Sequence, residues 1–123
     1  MSNDDQSGQV MDDIDPRFLE LIHHKVNSFI KWDIVRFFHD NPHTTDTAEG
    51  IARYTGRDEL IVEPELEQLA QSGVLETTAL GEMTVFTLTA EAEMRNLIHS
   101  FVLACNSRQF RVKAIYHVIQ GMR

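Results

Sequence analysis

What this chain lacks narrows its class before any motif is read. It has one cysteine, Cys105, in 123 residues, so no intramolecular disulfide framework is possible and a reducing compartment is the simpler assumption. Its apolar runs reach only a few residues, far below the roughly 20 needed to cross a bilayer. The N-terminus is polar and acidic and does not read as a secretory signal. A soluble, cytoplasmic protein with no membrane partner is therefore expected. No Ser/His/Asp motif, nucleophile elbow, phosphate-cradling glycine loop or dinucleotide fingerprint is present, so neither an enzyme nor a cofactor is expected. Cations are scarce too, with 11 Lys and Arg against 19 Asp and Glu and a formal charge of -8.

That charge is unevenly placed. Residues 1–65 hold 14 acidic and six basic side chains, whereas residues 66–123 hold five of each. From Ser107 onward Arg108, Arg111, Lys113 and Arg123 occur with no acid. A helix C-terminus would favour such cations through its dipole, and a phosphate or acidic partner would favour them equally.

The length and the 42% apolar content fit one compact domain. Residues 1–14 carry too little apolar surface to offset the entropy of ordering and read as a disordered acidic arm, leaving 15–123 as the domain. Asp15 and Pro16 read as an N-cap followed by proline at the first helical position. From Phe18 to Phe38 apolar residues recur at helical spacing, and Asn41 and Pro42 end the segment. Either this is one long helix, with surface around Trp32 buried against another subunit, or it breaks near Asn27 and Ser28 and folds back on one core.

The segment 46–89 is the most telling. Asp46 and Glu49 suggest a capping box for a helix carrying Ile51, Ala52 and Tyr54, which Gly56 stops. Asp58 then caps a second helix with Ile61, Val62, Leu66, Leu69 and Ala70 inward, closed by Ser72 and Gly73. A hairpin follows, with strands over 74–78 and 83–89 and a turn over 79–82. Thr89 is read as the cap of the next helix. Asn106 and Ser107 either separate it from a last helix or lie within a single one. The reading is mainly α with a small β-hairpin wing: a winged helix-turn-helix over 46–89, flanked by helical segments 15–40 and 90–121.

The run TAEGIARYTGRDELIVEPELEQLAQSGVLE, followed by VFTLTAEAE, resembles the winged-helix domains of MarR-, ArsR- and PadR-type transcriptional regulators. The elements in common are Ala52, Gly56, Leu66, Leu69, Gly73, Phe86, Leu88 and Thr89. The resemblance implies a DNA-binding second helix and a homodimer formed by the flanking helices. Carried over by residue, it makes Arg57, Gln68 and Gln71 the DNA contacts of that helix, and the basic tail adds Arg108, Arg111 and Lys113.

The charge of the second helix opposes that function. From Arg57 to Ser72 there are five acids and one cation. DNA affinity rests largely on cations that displace phosphate counterions, so this face would be repelled. Pro64 also removes a helix hydrogen bond, so the helix kinks there or begins later, near Glu63. Two functions stay open. One is DNA binding, with Lys25, Lys31, Arg36, Arg53 or the tail as an unusual docking face. The other is a protein-interaction module that uses Glu59, Glu63 and Glu67, with Trp32 at a second contact. Of the six histidines, His39 and His43 flank Asp40 without a zinc-ligand spacing, so no metal site is expected. Cys105 reads as a small core residue.

Overall fold

Most helices start at a side-chain cap. The computed structural model describes residues 13–122. The expected disordered arm lies outside them except for Asp13 and Ile14, and Ile14 is buried rather than free. Helix α1 spans Pro16–His24, with the Asp15 carboxylate accepting from the Arg17 N–H at 2.9 Å. Ser28 caps a second helix, α2, over Phe29–Asp40, its hydroxyl accepting from the Lys31 N–H. The long first segment is therefore two helices, and the fully buried Val26 lies in the bend between them.

A short strand, β1 (Thr45–Thr47), precedes α3 (Ala48–Thr55). Thr47 caps α3 by accepting from the Gly50 N–H at 3.2 Å. The expected cap, Asp46, sits one residue early because β1 pairs with the hairpin and holds it in extended backbone, where its carboxylate accepts from the Thr47 N–H at 2.7 Å. A Cβ on Gly50 would meet that carboxylate and require it to turn aside. Gly56 then turns the chain in the left-handed region, φ 68°.

Helix α4 runs over Glu59–Gln71, capped by Asp58 on the Leu60 N–H, with Pro64 inside it. The late start at Glu63 is not adopted. Leu60 and Pro64 are both exposed, so water can satisfy the Leu60 carbonyl that the proline leaves without its N–H. Strands β2 (Leu75–Leu80) and β3 (Met83–Leu88) form the hairpin around Gly81, and Ala79 and Leu80 belong to the strand rather than the turn. The antiparallel sheet has the order β1-β3-β2. Two crossed helices, a turn and a hairpin backed by a third strand make a winged helix-turn-helix.

Helices α5 (Ala92–Ala104) and α6 (Arg108–Gly121) close the chain. Ser107 caps α6 and so separates them. Thr89 does not cap α5. Its N–H remains bonded to the Val74 carbonyl, and its hydroxyl accepts from the Glu91 N–H. One core joins all parts, with Leu21, Ile34, Phe38, Ile51, Leu66 and Phe101 fully buried within it.

Candidate interaction face

Helix α4 carries the surface that this fold presents outward. With 3.6 residues per turn, Val62, Leu66 and Leu69 point into the core, which places Leu60, Glu63, Pro64, Glu67 and Gln71 on the opposite side. Leu60 is 81% exposed and Ile61 52%. Glu59, Glu63 and Glu67 are exposed beside them. The outward face has Leu60, Pro64 and Gln71 along its centre, the acids Glu59, Glu63 and Glu67 on one flank and Ile61 and Gln68 on the other.

The residues expected to read DNA from α4 are mostly engaged elsewhere. Arg57, the segment's one cation, donates from both Nε and Nη2 to Asp33 Oδ2 on α2, the former at 3.1 Å. Gln68 Oε1 accepts from Lys31 Nζ. Gln71 is exposed, but no cation stands near it on the helix.

Behind this face lies a buried ionic cluster. Lys31, 4% exposed, sends Nζ to Glu65 Oε2 at 2.9 Å and to Asn27 Oδ1 at 2.7 Å, as well as to Gln68. Ser28 Oγ donates to Glu65 Oε1 at 3.1 Å. Glu65 therefore faces α2, and Lys31 is removed from any docking surface. Lys25 donates to the Ser72 carbonyl at 2.6 Å, and Arg53 pairs with Glu49 at 3.1 Å.

The tail cations do not form one patch. Arg111 and Lys113 point to opposite sides of α6: Arg111 Nη1 donates to the Cys105 carbonyl at 2.9 Å, while Lys113 Nζ approaches the Asp13 carbonyl at 3.4 Å. Arg108 is exposed at the start of α6, the wrong end for a favourable dipole. Arg111 does meet a C-terminus, that of α5. Trp32, expected at a second contact, is 8% exposed and packs against Phe101 of its own chain, ring centroids 5.4 Å apart.

His39 ends α2. Its Nδ1 lies 3.1 Å from Asp40 Oδ1, and its Nε2 lies 2.9 Å from His99 Nδ1, with the two imidazoles stacked. Among the described residues no group of three or more His, Cys, Asp or Glu side chains is placed to hold a metal. Burial raises the Cys105 thiol to about 11 against the opposing charges of Arg36 and Arg111, so it is a neutral thiol near pH 7. No helix among the described residues is long and apolar enough to cross a membrane.

No family model matches this chain, and no curated protein does. Among solved structures it is similar to a "Possible transcriptional regulator" from Methanosarcina mazei Go1, with 11% identity over 88% of this chain and 82% of the other and a TM-score of 0.49. A likeness that slight says nothing about function. The reading below rests on the surface of α4 and the cations around it.

The Arg57–Asp33 pair, the Lys31 cluster and the His39–His99 stack join residues 24, 37 and 60 positions apart. No local pattern in the sequence could have signalled them.

Proposed function

We propose that this chain is a regulator-like winged-helix domain that acts through a basic protein partner held on the outward face of α4, rather than by reading DNA with that helix. The observation that carries this is the combination of an 81% exposed Leu60 and flanking Glu59, Glu63 and Glu67 on a helix that carries no cation, with Arg57 just before its cap tied to Asp33. An exposed leucine gains by leaving water, and the acids around it select a cationic surface and suppress an anionic one. A phosphate backbone meets the opposite conditions here.

Fluorescence anisotropy with mixed duplex DNA at low ionic strength tests this, because low salt exaggerates any electrostatic attraction. No binding is expected at micromolar protein. Binding that Arg57→Ala or Gln71→Ala abolishes would overturn the proposal. Binding lost only on changing Arg108, Arg111 and Lys113 together to Ala would place DNA on the tail instead. A positive counterpart is titration with a lysine-rich amphipathic peptide, which should bind the natural chain and lose affinity when Glu63 and Glu67 are both changed to Lys.

A homodimer paired along α6 is part of the same proposal. Val112, Tyr116 and Ile119 are exposed on the side of α6 opposite the buried Ala114 and Val118. A helix apolar on both sides has a second surface to cover.

A further inference from the structure

Strand β2 ends the sheet on one side, and its outer edge carries none of the devices that natural edges use against pairing. Such edges are kept short, bulged, or armed with lysine or proline. β2 instead runs six residues in unbroken register with β3, from Leu75 opposite Leu88 to Leu80 opposite Met83. Its sequence, LETTAL, has no cation and no proline, and every residue from Glu76 to Leu80 is exposed.

The hydrogen-bond phase settles which groups point outward. The Thr89 N–H donates to the Val74 carbonyl at 3.1 Å, and in an antiparallel pair the bonded positions recur at every second residue. Glu76, Thr78 and Leu80 therefore bond to β3, whereas the N–H and C=O groups of Thr77 and Ala79 face away from it. Among the described residues no backbone bond from outside the hairpin reaches those four groups.

Charge decides what such an edge can accept. Between Arg57 and Arg95 there are nine acids and no Lys, Arg or His. Two of the acids stand on the hairpin: Glu76, which accepts from the Ala90 N–H, and Glu82, which is exposed at the turn. A second copy of β2 would set the same acids on both sides of the seam, whereas a cationic strand would neutralise them.

We propose that the outer edge of β2 takes up an extended, lysine- or arginine-bearing segment of a partner protein as a fourth strand of the sheet. The main chain of that segment exchanges bonds with Thr77 and Ala79. Its side chains opposite those two residues share the face of the buried Phe86 and Leu88 and suit β-branched types, and its cations fall on the face of Glu76. This contact stands apart from the α4 face, since it needs the main chain of β2 and none of Glu59, Glu63 or Glu67.

A capped octapeptide alternating valine and lysine, titrated into the full chain at physiological ionic strength, tests this by amide NMR. Binding should saturate and should slow solvent exchange at the Thr77 and Ala79 N–H groups, which exchange fast in the free chain. A fully N-methylated version keeps the charge, loses the donors and should bind at least about tenfold more weakly. Thr77→Pro removes one outward donor and leaves the bonds that run to β3 through Glu76 and Thr78, so circular dichroism should be unchanged while the peptide weakens about tenfold. Thr78→Lys leaves the main chain alone, supplies the missing guard cation and should weaken the peptide severalfold. Glu63→Lys with Glu67→Lys should leave binding within about twofold. An absence of saturation, equal binding by the N-methylated peptide, undiminished binding in folded Thr77→Pro or in Thr78→Lys, or loss in the Glu63 and Glu67 variant alone would each overturn the proposal. So would slowed exchange at Thr77 on concentrating the chain without peptide, which would give the edge to a second copy.

Discussion

Replacing Glu65 by alanine takes away the one anion that faces a buried ammonium. Lys31 has a side chain only 5% exposed, against 18% for Glu65, so the two partners are unequally able to return to water. In Glu65→Ala the Lys31 charge keeps two neutral acceptors, Asn27 Oδ1 at 2.7 Å and the Gln68 amide oxygen, and has no carboxylate. Stranding one member of a buried pair costs about 3–5 kcal/mol, and the surviving acceptors place this case near 3. The converse change, Lys31→Met, leaves the less buried Glu65 able to hydrate and still bonded by Ser28, so its cost is about 1–2 kcal/mol. Combining Lys31→Met with Glu65→Leu replaces the pair by apolar groups and should return most of the stability. Urea unfolding followed by Trp32 emission measures all three, and Glu65→Ala should also lower Tm by about 10 °C. If Lys31→Met costs as much as Glu65→Ala or more, the argument that unequal burial governs this cluster is refuted.

Other consequences are open to the same kind of measurement. Gly50→Ala gains about 1 kcal/mol of helix propensity but turns the Asp46 carboxylate away from the Thr47 N–H, so the two effects should nearly cancel in thermal melts, and a loss above about 1 kcal/mol would show that Asp46 cannot move aside. Cys105 holds its proton more tightly when folded, so its contribution is complete below the unfolded value of about 9 and is lost as pH rises through about 11. The stability of Cys105→Ala should consequently fall less than that of the natural chain across this window, by on the order of 2 kcal/mol, in urea titrations at each pH. Light scattering should give a dimer mass that Ile119→Glu reduces to a monomer, and a monomeric natural chain at high concentration would sink the α6 pairing.

The parts of the fold legible in the sequence are those set by neighbouring residues. Asp15, Asp58 and Ser107 lie at helix starts because a short polar side chain reaches an N–H two or three positions on. Gly56, Gly73 and Gly81 lie at turns because each has φ between 64° and 83°. The two misplaced caps share a different cause. Asp46 and Thr89 are held in extended backbone by hydrogen bonds to residues far along the chain, and pairing across the sheet outweighed the local preference. The same limit applied to the candidate site. The acidity of α4 could be read from Glu59, Glu63 and Glu67, but the neutralisation of Arg57, the burial of Lys31 and the separation of Arg111 from Lys113 depended on which helices meet. The late start that Pro64 suggested is not adopted because the cost of the proline depends on whether the carbonyl it leaves without an N–H faces water.

Strand β1 has only three residues, yet it ties the wing to the helix pair. It pairs with β3 immediately before α3 begins, and the Thr87 hydroxyl adds a bond to the Thr44 carbonyl at 3.1 Å. The hairpin is thus riveted to the start of the first crossed helix instead of hanging from the end of the second. The pairing holds the base of the wing, Val85–Thr87, and leaves the exposed Leu80 and Met83 beyond it at the tip. A load on that tip would reach the helix pair through this three-residue seam.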